Sequence, residues 1–262
     1  MIQPTVAPSR RSLEALDWLN FFLADVRTGV GPFLAIYLAT QGWNEQAVGF
    51  ALMVGGLAGV LSQAPAGALV DAVSSKRALI GGAVGLIATG AVALASGTPG
   101  PLVIVVQLIL GVAGSVLGPA VAAVTLGLVG QRRMAQRVGR NHRFDSAGNL
   151  VAAAACGLVG YALSSRAIFW FAAGLAGPAL WALRRIRSGE IDSARARGAS
   201  DQGASPERLG ELMKNRRLLL FGGCAVLFHF ANAAMLPLLG EMLATGQERH
   251  APLFMSACIM VT

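Results

Sequence analysis

A short charged segment between two long uncharged tracts constrains this chain most. The segment covers residues 67–77 and reads Gly-Ala-Leu-Val-Asp-Ala-Val-Ser-Ser-Lys-Arg. No charged residue occurs in residues 47–70 or in residues 78–131. A helix needs about 20 apolar residues to cross a bilayer whose hydrocarbon core is about 30 Å thick. The pattern therefore predicts two membrane-spanning helices that are joined by a tight turn at the membrane surface.

The composition argues against a soluble globular protein. Hydrophobic residues make up 55% of the chain and charged residues 13%, and the mean hydropathy is +0.61. Soluble domains carry about 25% charged residues. The three cysteines, Cys156, Cys224 and Cys258, lie in apolar tracts, and their spacing fits neither a metal site nor a disulfide framework. We therefore expect an integral membrane protein with no metal, no cofactor and no secretory signal peptide.

Turn formers and changes in polarity divide the chain into eight predicted spans. The break inside the second uncharged tract is residues 96–101, Ser-Gly-Thr-Pro-Gly-Pro. Residues 184–217 are polar and predict a linker, in which Ser205 and Pro206 favour the start of a short helix. The predicted spans are residues 16–40, 46–70, 78–94, 102–129, 144–163, 167–183 and 218–240, and an eighth begins near residue 251.

The basic residues predict the orientation of these spans. If the N-terminus is cytoplasmic, 18 of the 21 Lys and Arg residues lie on the cytoplasmic side. The exceptions are Arg166 and Arg249 on the opposite side and Arg27 inside span 1. Such a bias is the positive-inside rule. It places the linker in the cytoplasm and accounts for the net charge of +8 without a nucleic-acid partner.

Two stretches that lie 205 residues apart indicate an internal repeat. This shift brings Pro32 onto Pro237, and residues 38–40 onto residues 243–245, which are Leu-Ala-Thr in both places. Many transporters consist of two related halves with such weak internal symmetry. Span 7 is therefore predicted to restart the pattern of span 1 after the linker.

The charged turn also resembles a known signature. Gly67, Leu69, Asp71, Lys76 and Arg77 are similar to the motif between the second and third helices of the major facilitator superfamily (MFS). The departures are Ala72, Ser74 and Ser75, where that motif has a base, a glycine and a base. The resemblance implies twelve helices in two six-helix bundles with a cytoplasmic linker.

We accordingly expect an all-α polytopic membrane bundle. Residues 1–183 would form a complete six-helix bundle, residues 184–217 the linker, and residues 218–262 helix 7 and part of helix 8. On this interpretation the sequence is expected to be a fragment of a longer chain.

The predicted function is secondary active transport of a small solute by alternating access, coupled to protons. The expected setting is a monomer in the inner or plasma membrane. No Walker loop or nucleophile–base pair is present, so an enzyme is not expected. The alternative is a non-transporting sensor or scaffold, should the native chain end at residue 262. Span 5 lacks the proline of the family's antiporter signature, which weakens an export function. The direction of transport and the charge of the substrate stay open.

Candidate site residues are the polar groups within the spans, because ionisable groups in a membrane are costly and usually functional. Substrate-cavity candidates are Asn20, Arg27, Thr28, Gln63, Gln107, Asn149, His229 and Asn232. Proton-coupling candidates are Asp25, Asp145 and His229. Asp25 and Arg27 alternatively tie helices together, and His229 is alternatively a hydrogen-bonded packing residue.

The family resemblance also implies a gating role for the charged turn. Gly67, Leu69, Asp71, Lys76 and Arg77 would form the gating motif, in which Asp71 pairs with bases to hold the cytoplasmic face shut. The alternative is a solvated turn without a gating role.

Overall fold

The structure is a computed structural model. It describes residues 7–28, 30–97, 99–197, 216–232, 235, 238, 242 and 250–261. The helices are α1 (Arg10–Thr28), α2 (Val30–Thr40), α3 (Glu45–Ala72), α4 (Lys76–Ala95), α5 (Gly100–Val129), α6 (Gln131–Ala162), α7 (Ser165–Arg185), α8 (Arg216–Asn232) and α9 (Ala251–Val261). Two short 3-10 turns, Ser188–Glu190 and Arg195–Arg197, follow α7. The predicted all-α fold is confirmed, and no strand occurs in these residues.

The helix ends follow local sequence signals. Asn44 begins α3 by accepting a hydrogen bond from the backbone N–H of Ala47 at 2.8 Å. Ser75 begins α4 in the same way, with the N–H of Ala78 at 3.3 Å. Such side-chain caps satisfy donors that have no partner within the helix. The predicted tight turn between spans 2 and 3 is therefore present, at residues 73–75.

One helix differs clearly from its prediction. Span 5 was expected to start at residue 144, but α6 begins at Gln131 and is 32 residues long. Gly130, with φ of +69°, separates it from the 30-residue helix α5. Arginine and methionine favour helices, so the charged stretch after Gly130 continues α6 beyond its apolar part. In the part of the chain that the structure describes, four helices, α3, α4, α5 and α7, are long and apolar enough to cross a membrane.

The helices pack into a bundle with two distinct ends. We call the end that contains Ser9, residues 73–75 and Gly130 the linker end. The other end, with Gln41 and Gly97, is called the opposite end. The main core lies toward the linker end and contains residues from α1, α3, α4, α5 and α7, together with Ile186 and Ala196 from the segment after α7. A second core, with Leu38, Leu94 and Phe169 among its members, lies toward the opposite end.

Glycines allow the closest helix contacts. A Cβ atom on Gly111 of α5 would lie 2.2 Å from the backbone oxygen of Gly55 on α3. One on Gly148 of α6 would lie 2.1 Å from the backbone oxygen of Phe21 on α1. Real Cβ atoms do not approach backbone so closely, so any side chain at these positions would push the helices apart. Such close approach through small residues is how membrane helices associate.

The first part of the linker is docked on the bundle. We call residues 186–197 the strap. Ile186 and Ala196 are buried, and the backbone N–H of Asp192 donates to the oxygen of Gly127 at 3.1 Å. A Cβ atom on Gly127 would meet Ile191 at 2.8 Å, so this glycine makes room for the strap.

A carboxylate fixes the strap to the start of α1. The Glu190 Oε2 atom accepts from the backbone N–H and from the hydroxyl of Ser9, both at 2.9 Å. The backbone N–H of Arg187 donates to the Ser12 hydroxyl at 3.1 Å. A negative charge is favourable at a helix N-terminus.

Two further predictions, the short helix at residues 205–207 and the repeat at residues 243–245, lie outside the described residues.

Candidate functional site

A polar cleft opens between α1, α5 and α6 toward the linker end. We call it the α6 cleft; its volume is about 200 Å³. Its lining residues are Asn20, Gly118, Val121, Ala122, Thr125, Met134, Val138, Asn141, His142 and Asp145. The cleft brings together two of the predicted site residues, Asn20 and Asp145. It adds His142, which the sequence analysis did not select.

A buried ion cluster lies next to this cleft and joins α1 to α6. The Asp17 carboxylate accepts from the Arg137 Nη2 atom at 2.7 Å and from the Arg140 Nη2 atom at 2.7 Å. The Arg140 Nε atom also donates to both carboxylate oxygens at 3.0 Å. The side chains of Asp17 and Arg137 are only 3% and 7% exposed, whereas that of Arg140 is 49% exposed. One buried acid therefore holds two arginines of α6.

Hydrogen bonds extend this cluster to the wall of the cleft. The Arg137 Nε atom donates to the Asn141 Oδ1 atom at 3.0 Å. The Asn141 amide donates in turn to the Thr125 hydroxyl on α5 at 3.1 Å. The remaining Arg137 Nη2 contact is the backbone oxygen of Leu13 at 2.9 Å. We call these five residues, Asp17, Thr125, Arg137, Arg140 and Asn141, the Asp17 network. It ties α1, α5 and α6 together.

Sequence reasoning missed the central acid of this network. Asp17 stands directly before Trp18, at the predicted start of span 1. The distribution of charges along the sequence could have indicated such an acid. Five arginines lie within residues 132–143, and that stretch contains no acid to pair with them. A buried arginine requires a partner, so an acid on a neighbouring helix was to be expected.

The other predicted cavity residues whose side chains the structure describes do not line the cleft. Gln107 is buried in α5, and its Nε2 atom would lie 3.2 Å from a Cβ atom on Gly55 of α3. Gln63 is exposed on α3, and Asn149 is half-buried on α6. His229 is exposed on α8. The side chains of Asp25, Arg27, Thr28 and Asn232 lie outside the described part of the chain, so their roles stay predictions.

Lys76 is buried at the centre of the charged turn, which was not predicted. Lys76 is 3% exposed, and its Nζ atom donates to the backbone oxygens of Val70, of Val73 at 2.8 Å and of Asp71 at 3.4 Å. A cation is favourable among the last carbonyls of a helix. The Arg77 guanidinium donates to the backbone oxygen of Arg184 at 3.2 Å, which links α4 to α7. Lys76 is thus the C-terminal cap of α3.

The remaining motif residues are accessible. Leu69 is 45% exposed and Gly67 is half-buried on α3. Asp71 is exposed, and within the described part of the chain no ion pair joins its carboxylate to a base. Pairing of this carboxylate with a base in another conformation stays a prediction.

Helix α9 packs closely against α6 at the opposite end. A Cβ atom on Gly157 would lie 2.3 Å from the Ser256 Oγ atom, and one on Gly160 would lie 2.6 Å from the Pro252 Cβ atom. Around these glycines, the buried residues Ala251 and Met255 of α9 share a cluster with Phe33, Ile36, Cys156 and Ile168. We call this contact the α6–α9 seam.

The described residues form an all-helical bundle with a polar cleft and with four helices that are long and apolar enough to cross a membrane. Residues 17–262 match the family model of the Major Facilitator Superfamily, and the chain belongs to that family. The resemblance carried by the charged turn is thereby confirmed, and the protein is an integral membrane protein.

The family relatives are longer than this chain. It is 43% identical over 260 residues to an uncharacterized MFS-type transporter of Mycobacterium tuberculosis, which is found in two strains. The match covers 97% of this chain and 62% of the relative.

Solved structures share the fold at low identity. The peptide transporter POT in complex with sulfate superposes with a TM-score of 0.63 at 18% identity, over 91% of this chain and 52% of that one. A POT variant in complex with alafosfalin gives a TM-score of 0.58 at 19% identity, over 90% and 51%. These two structures establish the MFS fold for this chain.

Proposed function

We propose that this chain is part of a secondary active transporter that moves a small solute across the inner or plasma membrane by alternating access, driven by protons. Residues 1–183 would be the first bundle, residues 184–217 the cytoplasmic linker and residues 218–262 the start of the second bundle. The transporter would act as a monomer, without nucleic acid. The observation that carries this proposal is the α6–α9 seam.

The seam supports alternating access because, among the described residues, the close contact between the two proposed halves lies at one end. Gly157 and Gly160 let α9 approach α6 to distances that no side chain would allow. Away from this seam, the α6 cleft is accessible toward the linker end. A transporter is in an inward-facing state when its two halves are in contact at the outer end and a polar surface between the helices is accessible from the cytoplasmic end. The seam and the α6 cleft would correspond to this arrangement. Transport would require the seam to open while the linker end closes.

The α6 cleft supplies polar and titratable groups for a solute and a proton. Asn20 and Asn141 offer amides, and His142 and Asp145 lie three residues apart on one face of α6. Histidine changes charge near neutral pH. Asp145 and His142 are therefore our first candidates for proton coupling, beside Asp25 and His229.

Transport is tested with full-length protein in proteoliposomes that contain a pH-sensitive dye. Amino acids, short peptides, sugars and organic acids are added outside, and solute-dependent proton flux is recorded. We expect at least one solute to evoke flux in the wild type. Gly157→Val should abolish this flux, because the valine would hold α9 away from α6.

Gly174→Val is the matched control. Gly174 lies on α7, and a Cβ atom there meets nothing within 4 Å. This variant should keep the flux of the wild type. If no solute of the four classes moves protons in the wild type, or if Gly157→Val transports as well as Gly174→Val, the proposal is wrong.

A further inference from the structure

A second polar cavity opens at the opposite end of the bundle, beside the seam. Its volume is about 600 Å³, and the ends of α2 and α6 and the start of α7 form its walls. The lining groups that can bind a solute are those of Thr40, Gln41, Tyr161, Ser164, Ser165 and Arg166. Small-molecule sites commonly have volumes of about 300–1,000 Å³. We call this space the Arg166 cavity.

Arg166 is the charged residue of this lining, and the hydrogen-bond partner that the structure describes for its side chain carries no charge. Its Nη2 atom donates to the Gln41 Oε1 atom at 3.1 Å, and that partner is a neutral amide. In the described residues, no carboxylate lies within ion-pairing distance of the guanidinium. A guanidinium has five N–H donors, so Gln41 leaves several of them for a ligand.

Arg166 is exposed, and its guanidinium contacts the protein on two sides. It lies over the turn at Gly97, where a Cβ atom would be 3.7 Å from the Arg166 Cζ atom. Gln41 fixes it from the side of α2. A positioned guanidinium loses less conformational entropy on binding than a freely moving one.

Membrane topology does not explain a base at this end. The positive-inside rule favours arginine at the linker end, where most bases of the chain lie. Arg166 is one of the two bases that the sequence places on the opposite side, and it lines a polar cavity of about 600 Å³. A role in binding accounts for its place better than a role in orientation.

We propose that the Arg166 cavity binds a small organic anion through its carboxylate group. The planar guanidinium matches a carboxylate with two parallel hydrogen bonds, and the hydroxyl of the neighbouring Ser165, which lines the same cavity, is a further donor. Gly160 lines the same cavity and contacts Pro252 of α9, so a bound anion lies directly beside the seam. That this anion is the transported solute rests on the proposed function; anion binding itself does not.

The test measures binding to full-length protein in lipid nanodiscs by calorimetric titration. The probes are benzoate and acetylglycine, each compared with its neutral amide. We expect the wild type to bind a carboxylate at least about tenfold more tightly than its amide, because charge-assisted hydrogen bonds are the stronger ones. Arg166→Gln, which keeps a hydrogen-bonding side chain, should weaken carboxylate binding at least about tenfold.

Two further variants keep the test decisive. Arg166→Lys retains the positive charge but loses the planar group that donates two parallel hydrogen bonds. This variant should bind the carboxylates with intermediate affinity. Arg133→Gln removes an exposed base at the linker end and should bind like the wild type. Equal carboxylate binding by wild type and Arg166→Gln, or no carboxylate binding by the wild type, would overturn the proposal. Arg166-dependent binding without any transport would refute the proposed function and leave this site standing.

Discussion

Asp17 is the residue whose charge depends most on its protein neighbours. Its carboxylate is almost fully buried and neutralises Arg137, which is buried as well. Removing water from a charge is expensive unless a partner of opposite sign and further hydrogen bonds replace it. Here the partners come from α6 and, through Asn141 and Thr125, from α5. The network therefore specifies how three helices fit together.

Loss of the Asp17 charge should destabilise the protein strongly. Asp17→Asn leaves the Arg137 charge buried without compensation, a situation that costs about 3–5 kcal/mol in soluble proteins. The measurement is the thermal unfolding midpoint of full-length protein in detergent. Glu14→Gln is the control, because Glu14 pairs with Arg10 at 2.7 Å but is 52% exposed, and exposed pairs contribute about 0–1 kcal/mol. Equal midpoints for the two variants would contradict the buried network.

Lys76 and Asp71 are predicted to differ in their effects on stability. Lys76→Met removes three contacts to the carbonyls that end α3, and should lower stability by about 1–3 kcal/mol, as for other hydrogen bonds to charged groups. Asp71→Asn should leave the unfolding midpoint close to that of the wild type, because its carboxylate is exposed. If Asp71→Asn were the more damaging variant, an ion pair rather than a helix cap would stabilise the turn.

At the scale of elements, the strap is held by one carboxylate. Burial alone would raise the pKa of Glu190, but hydrogen bonds from Ser9 and Ser12 and the charge of Arg187 outweigh it, and the pKa lies below its usual range. A carboxyl group with a lowered pKa in the folded state stabilises that state above its unfolded pKa, near about 4.3. This stabilisation is lost as the pH falls through the lowered pKa of the folded state.

The strap should therefore loosen when Glu190 loses its charge. In Glu190→Gln, the backbone amides of residues 188–197 should exchange hydrogen faster than in the wild type at neutral pH. In the wild type, the same amides should lose relative protection only below about pH 4. Glu45→Gln, an exposed acid at the start of α3, is the control and should not change strap exchange. Unchanged exchange in Glu190→Gln would show that Ile186, Ile191 and Ala196 suffice to hold the strap.

The sequence predicts some of these elements well and others not. The spans that became α3, α4, α5 and α7 could be located because uncharged tracts and turn formers mark the ends of a membrane helix. The first turns of α6 could not be located, because a run of arginines does not show whether the helix ends at the membrane surface or continues beyond it. The strap was interpreted as an open linker because Arg, Ser, Gly and Asp dominate it. Its docking depends on Gly127, which lies about sixty residues earlier.

The candidate site was predicted only in part, for a similar reason. Asn20 and Asp145 could be selected as polar groups in apolar helices, and both line the α6 cleft. Asp17, His142 and Arg166 were not selected as site residues, because each stands near a predicted helix end and the selection took polar groups deeper within the spans. Only the three-dimensional neighbours of these residues distinguish them from ordinary interfacial residues.

At the scale of the whole molecule, the two ends should lie on opposite sides of the membrane. In a cysteine-free background, a cysteine at the exposed position Ser193 in the strap should be labelled only from the cytoplasm. One at Leu163, which is 75% exposed at the opposite end, should be labelled only from outside. The assay uses a membrane-impermeant maleimide on intact cells and on lysed cells. Labelling of both sites from the same side would refute the orientation.

The length of α5 has a consequence for the bilayer that surrounds the protein. At 1.5 Å per residue, this uncharged helix of 30 residues extends about 45 Å, well beyond a hydrocarbon core of about 30 Å. In a thicker membrane, the helix can match the hydrocarbon core by tilting less. In a thin membrane, the helix must kink or expose apolar side chains to water. Reconstitution in lipids of increasing acyl-chain length should thus raise thermal stability up to a plateau, and short-chain lipids should be the harmful ones.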